Sequence, residues 1–340
     1  MSTVSVVILG AGTMGTNIAL DLARAGYRPQ VVEVDADQRN RSREYARAGA
    51  RFMHSNGLTD VHGEKLAERV TYAESPEQAL PTAEWVIEVV PEDLAVKQRV
   101  LAEAEKLASP TATISSNTSS ILPSKLAAAL KHPERFLATH FWNPAHLLPL
   151  VEVVPHAGTK QEVIDRVVKL LADAGKHPIL LKREIAGFLG NRLAFARQRE
   201  AMARVARGVA PPEDIDAVAA LGFGRRMPIS GIFGTADLGG LDVYRAICDE
   251  LFPGLCADRA APAKLRELVE QGKLGVKSGA GWRIYSTAEI EKLQQTLSEE
   301  LVRHAQRDQA DQTRAAAAQH TMILDSRSDA SLRRMKQGQG

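Results

Sequence analysis

Cysteine is scarce in this chain: two among 340 residues, Cys248 and Cys256. Two such residues cannot build a disulfide framework, and their spacing matches no zinc or redox motif. Reduced thiols in a reducing compartment are therefore expected. An excess of one charge sign is also missing. The 43 Lys and Arg face 41 Asp and Glu, a formal net charge of +2, which argues against a dedicated nucleic-acid or membrane-surface protein. No apolar run approaches the roughly 18 residues needed to span a bilayer. Met1 is followed directly by a strand pattern and a glycine loop, which argues against a cleaved signal peptide. Metal-ligand spacing, internal repeats and Ser/Pro-rich linkers are absent as well. These absences point to the cytoplasm, with neither nucleic acid nor membrane as a partner.

What is present is an ordinary globular composition, 44% apolar and 25% charged, and a length that suggests two domains. Residues 4–9 form a nearly all-apolar run, as expected of a central parallel strand. The sequence Gly10-Ala11-Gly12-Thr13-Met14-Gly15 follows at once, then a helical pattern over residues 17–25. Gly10 permits a tight turn, Gly12 lets the backbone approach a pyrophosphate, and Gly15 lets helix pack on strand. The helix N-terminus, at Thr13 and Met14, offers free N–H groups to phosphates. A second strand over 29–34 ends at Asp35, whose carboxylate suits the adenosine ribose hydroxyls and repels a 2′-phosphate, so NAD is expected over NADP. Arg39 and Arg41 nearby weaken that preference slightly.

Residues 36–70 read as a polar, Arg-rich, helical excursion. Strand patterns at 85–90, 111–115, 136–140 and 177–181 alternate with helical ones at 94–107 and 162–174. The alternation predicts an α/β fold, a doubly wound, mostly parallel sheet over residues 1–186. Helical patterns at 187–207, 212–221, 234–252 and 262–272 predict an all-α domain over 187–296. Residues 297–340 read as a polar surface helix and frayed tail.

Residues 115–152 gather the chemistry: hydroxyls and an amide at Ser115-Ser116-Asn117-Thr118-Ser119-Ser120, an imidazole at His140, and a carboxylate at Glu152. Ligands of such sheets bind beyond the carboxyl ends of the strands. Glu92, Ser119 and His140 all lie just past strand ends. A proton acceptor beside a hydride acceptor reads as alcohol dehydrogenation.

In combination these motifs resemble the 3-hydroxyacyl-CoA dehydrogenase family. They are GAGTMG at 10–15, VIEVVPED at 86–93, SNTSS at 116–120, HFWNP at 140–144, LVEVV at 150–154, GFLGNRL at 187–193 and GVKSGAGW at 275–282. The resemblance implies a Rossmann domain, a helical domain that forms a homodimer, and substrate bound in the cleft between them. It implies His140 as catalytic base and Glu152 as its carboxylate partner, brought together by a turn through Asn143-Pro144. Ser119 and Asn191 then donate to the substrate oxygen, and Asn143 orients the base or touches substrate. Glu92, Lys97 and Asn117 become cofactor-side residues.

The expected reaction is NAD-dependent, reversible oxidation of an L-3-hydroxyacyl-CoA. The excursion at 36–70 is shorter and poorer in lysine than in CoA-binding members, and the loop around Arg225 and Arg226 differs from theirs. The branch with lambda-crystallin and gulonate 3-dehydrogenase is resembled as well. A free hydroxy acid therefore stays open as substrate: L-gulonate, carnitine, 3-hydroxybutyrate or a hydroxymethyl aromatic acid, with Arg226 clamping its carboxylate. A non-catalytic crystallin-like NAD-binding protein is the remaining alternative. A mechanism using a lysine on the long helix is disfavoured, because residues 187–207 contain no Lys.

Overall fold

The computed structural model describes residues 4–337; the expectations for residues 1–3 and 338–340 lie outside that range. Eight strands form one sheet: β1 (Ser5–Leu9), β2 (Arg28–Val32), β3 (Thr71–Ala73), β4 (Trp85–Glu88), β5 (Thr113–Ser116), β6 (Phe136–Phe141), β7 (Leu150–Val154) and β8 (His177–Leu180). Their order is β3-β2-β1-β4-β5-β6-β7-β8. Every neighbouring pair is parallel except β6 and β7. The short β3 had no clear signal in the sequence.

Helices α1 (Thr13–Arg24), α2 (Ala36–Ser55), α3 (Gly63–Glu68), α4 (Pro76–Ala79), α5 (Leu94–Leu107), α6 (Pro123–Ala127) and α7 (Gln161–Asp173) connect these strands. The unbroken apolar run of β1 has its explanation in two covered faces. Val6 and Ile8 join one core with Ile18, Leu22, Val167 and Leu171, while Val7 and Leu9 join another with Leu101, Ile114 and Leu126. Each such buried side chain contributes about 2 kcal/mol of hydrophobic stabilisation.

The chain separates into two compact units. The first runs to Phe188 and resumes at Leu297; the second is Leu189–Thr296. After α8 (Phe188–Ala206), the second unit holds α9 (Pro212–Leu221), α10 (Met227–Ser230), α11 (Phe233–Gly239), α12 (Leu241–Leu251) and α13 (Ala263–Glu270). The single helix expected over 234–252 is two, because Gly240 takes φ 87° and breaks the ladder. The last helix, α14 (Thr287–Gln337), begins in the second unit. From Leu297 it belongs to the first, where Val302 enters the core beside Leu301 and Ala305. Gln306 and Gln309 donate to the carbonyls of Asn56 and Leu58. Among the described residues no helix is long and apolar enough to cross a membrane.

Candidate active site

The glycine loop joins β1 to α1. Gly10 has φ +115°, and a Cβ there would lie 3.0 Å from the Val89 carbonyl oxygen. A Cβ on Gly15 would run into the Gly10 carbonyl, so both positions require close backbone approach. Gly12 is different: nothing lies within 4 Å of a Cβ placed there. It is the N-cap of α1 and supplies no side-chain cap. With no side-chain cap taking up the first-turn N–H groups, the turn has the form an anionic pyrophosphate needs.

The carboxylate nearest this loop belongs to Glu33, the first residue past β2. Its Oε2 accepts from the Ala11 N–H at 3.3 Å, and its Oε1 accepts from the Asp35 N–H. Asp35 instead caps α2, its Oδ1 accepting from the Gln38 N–H at 2.6 Å. The strand expected to reach Val34 ends at Val32. Counting 20 residues past Gly15 gives Asp35; the structure instead places Glu33, just past the strand end, against the glycine loop. Arg39 is turned inward, donating to the carbonyls of Glu33 and Val34, and Arg41 donates to Gln38.

His140 and Glu152 are directly opposite each other in the antiparallel β6–β7 pair. Directly opposed side chains share a face. His140 Nδ1 and Glu152 Oε2 are 2.9 Å apart, and both residues are buried. The rings of Trp142 and Phe188 stand 5.5 and 5.6 Å from the imidazole. Asn117 Oδ1 accepts from the Phe141 N–H, which ties the end of β5 to the strand carrying His140. Its oxygen is thereby committed inward.

A second polar cluster lies at the ends of β4 and β5. Glu88, fully buried, accepts from Lys97 Nζ at 2.8 Å, from the Val90 N–H at 2.7 Å and from Ser116 Oγ at 2.5 Å. Lys97, 1% exposed, also donates to the Val90 carbonyl and stands 3.4 Å from Glu92. Glu92 Oε1 accepts from Thr118 Oγ1, from the Ser119 and Ser120 N–H groups and from Ser120 Oγ. Burial works to raise the Glu92 carboxyl, but these hydroxyls and the Lys97 ammonium together hold it below the usual carboxylate range. Lys97 thus spends its charge inside the protein, and Glu88 was not singled out in the sequence because it reads as a strand residue.

Of the remaining expected residues, Asn143 is exposed just beyond β6. Asn191 lies on the first turn of α8, and Arg226 is an exposed cap at the start of α10, both in the second unit.

Residues 5–185 match the family model described as 3-hydroxyacyl-CoA dehydrogenase, NAD binding domain, and residues 187–285 match the C-terminal domain model of the same family. The chain is 30% identical over 299 residues to 5-formyl-3-hydroxy-2-methylpyridine 4-carboxylate 5-dehydrogenase of Mesorhizobium japonicum, covering 88% of this chain and 96% of that protein. It is 30% identical over 252 residues to the human lambda-crystallin homolog, covering 74% and 79%. A crystal structure of a 5-formyl-3-hydroxy-2-methylpyridine 4-carboxylic acid 5-dehydrogenase, described as an NAD+ dependent dismutase, superposes with a TM-score of 0.84 at 28% identity. That likeness covers 90% of this chain and 99% of the other.

Proposed function

The chain belongs to the 3-hydroxyacyl-CoA dehydrogenase family, whose first domain binds NAD, and on that premise we propose that it oxidises a small free acid rather than a CoA thioester. The reacting group is the carbinol of a hydroxy acid or of a hydrated aldehyde acid. The observation that carries the reaction is the buried 2.9 Å contact between His140 and Glu152.

Glu152 holds Nδ1 as the N–H tautomer, which leaves Nε2 to accept the substrate's hydroxyl proton. The same carboxylate stabilises the imidazolium that forms. Ser119 donates to the oxygen as it becomes a carbonyl. Bound NAD supplies the hydride acceptor. Gly12, with the N–H groups of Thr13 and Met14, would hold its pyrophosphate on a turn shaped by Gly10 and Gly15, and Glu33 rather than Asp35 would accept from the adenosine ribose. Arg39 is held on backbone carbonyls and Arg41 on the Gln38 side chain, so both nearby guanidiniums are engaged within the protein rather than poised for a 2′-phosphate.

The substrate class rests on the excursion after β2. Residues 36–70 contain one lysine, Lys65. Arg39, Arg43 and Arg51 are engaged with Glu74, Asn40 and Glu64. These three of its six arginines are thus engaged within the protein, which counts against a surface built for the phosphates of a CoA nucleotide. The likeness across nearly the whole chain to an enzyme named for a pyridine carboxylate supports the same class.

A homodimer through the second unit is part of the proposal. Helices α9, α10, α11 and α12 contain no buried residue. Phe233, Leu238 and Ile284 are each more than four-fifths exposed, at 84%, 84% and 86%. A cavity of about 1130 Å3 opens among Met202, Ile215, Phe223, Trp282 and Tyr285. Apolar surface on this scale is covered in a stable protein.

The test is NAD-dependent turnover of L-gulonate, L-carnitine, free L-3-hydroxybutyrate and a hydroxymethylpyridine carboxylate beside L-3-hydroxybutyryl-CoA. At least one free acid should exceed the thioester in kcat/KM by roughly 100-fold or more. A preference for the thioester overturns the substrate class. Normal NADH binding without turnover of any of the compounds favours the crystallin-like alternative.

A further inference from the structure

We infer that Glu88 and Lys97 are positioning residues that act through Glu92 to hold the Ser119 loop in its working shape. The inference rests on the reading of Ser119 as a donor to substrate. Glu88 and Ser116 are register partners at the last positions of β4 and β5. Two loops leave the sheet there side by side, residues 89–93 and 117–122. The ladder ends with the Asn117 N–H on the Glu88 carbonyl, and beyond it side chains hold the loops.

The cluster supplies that fixation from both sides. Glu88 Oε2 takes the Ser116 hydroxyl, and Ser116 Oγ in turn accepts from the Thr118 N–H at 3.2 Å. Glu88 Oε1 takes Lys97 and the Val90 N–H, which folds the first loop back onto the strand end. Lys97 then reaches Glu92, and Glu92 gathers the N–H groups of Ser119 and Ser120. One buried ammonium between two carboxylates thus connects the sheet to the Ser119 backbone. A contact to cofactor would need Lys97 Nζ to leave this network, where it already has Glu88, the Val90 carbonyl and Glu92. Breaking such a buried pair leaves an uncompensated charge.

The test needs no substrate. Lys97→Met is the direct variant. Glu92→Gln, which changes only a half-exposed group, covers the case in which Lys97→Met does not fold. Amide hydrogen exchange at Ser119 and Ser120 should accelerate by ~10-fold or more in either variant, while in Lys97→Met NADH affinity, read from NADH fluorescence, stays at its unmodified value. Unchanged exchange at these two amides overturns the inference, and a fall in NADH affinity without it makes Lys97 a cofactor contact instead. Kinetics give an independent arm on the fastest free acid of the panel. There Lys97→Met should lower kcat far more than it alters KM, and should add nothing in a Ser119→Ala background; additive losses overturn the inference. A failure of the free-acid reading would leave the exchange result intact, so the two are separable.

Discussion

At the scale of single residues, His140 and Glu152 stand 2.9 Å apart, and the proposed reaction gives each one job. Replacing His140 by Ala should lower kcat by roughly 100- to 10,000-fold and leave NADH affinity nearly intact; retained turnover would remove the imidazole from the reaction. Glu33 and Asp35 make a sharper contrast, because each carboxylate has a different neighbour. Glu33→Ala should relax discrimination against NADP, seen as a changed ratio of kcat/KM for the two cofactors. Asp35→Ala should instead cost about 1 kcal/mol of stability through loss of a helix cap, with the cofactor ratio unmoved. The sequence made the imidazole and its partner legible, since a polar residue inside each of two apolar strands demands an account. It is less decisive on the ribose carboxylate: an apolar run that includes Val34 does not fix the strand's last residue, so the sequence points to Asp35 while the structure puts the Glu33 carboxylate on the Ala11 N–H. The Lys97–Glu88 contact was not legible, because a lysine in a helical pattern carries no mark that its ammonium is buried on a strand carboxylate.

At the scale of elements, the turn between β1 and α1 was readable almost in full, because its constraints are steric and local. The structure separates the glycines further. A Gly12→Ala side chain meets open space, so thermal stability should hold while NADH affinity falls, by about tenfold or more if the methyl group takes the place of the pyrophosphate. Gly15→Ala forces helix and strand apart at the Gly10 carbonyl. It should lower both Tm and NADH binding, and a stable Gly15→Ala protein would mean that α1 shifts freely. The connection between α11 and α12 was less legible, since a lone glycine is tolerated in many helices. The packing of α14 was hidden for another reason: Leu301, Val302 and Ala305 are few among polar neighbours, and their burial depends on α2 and α3 being there.

At the scale of the whole molecule, the sequence points to a second, all-α part through its run of helical patterns without strands beyond residue 187, past β8. The exposed apolar residues of the second unit could not be foreseen, because a helical stripe looks the same whichever surface covers it. In solution, light scattering should return about twice the 36.9 kDa chain mass; a monomer at micromolar concentration would remove the dimer from the proposal. Acid should weaken the fold through His146. Burial lowers its pKa from the ordinary 6.5, Asp21 opposes, and Lys176 and Arg24 add to the lowering. As pH falls, the unfolded chain therefore takes up this proton before the folded one. The stabilisation is complete above about pH 6.5 and is lost below it as the folded value is approached. His146→Leu should show a smaller drop in Tm between about pH 7.5 and about pH 5; an equal drop would trace the acid sensitivity to other groups. The reversed strand β7 has a wider consequence. Base and carboxylate are matched by ladder alignment, so a slip of one position would turn Glu152 to the opposite side of the sheet. The eight residues between β6 and β7 serve the same match: Ala145 and Leu147 are buried in the core and Lys176 Nζ donates to the carbonyls of Ala145 and Leu148, so the length and path of this connection help hold the two strands in phase.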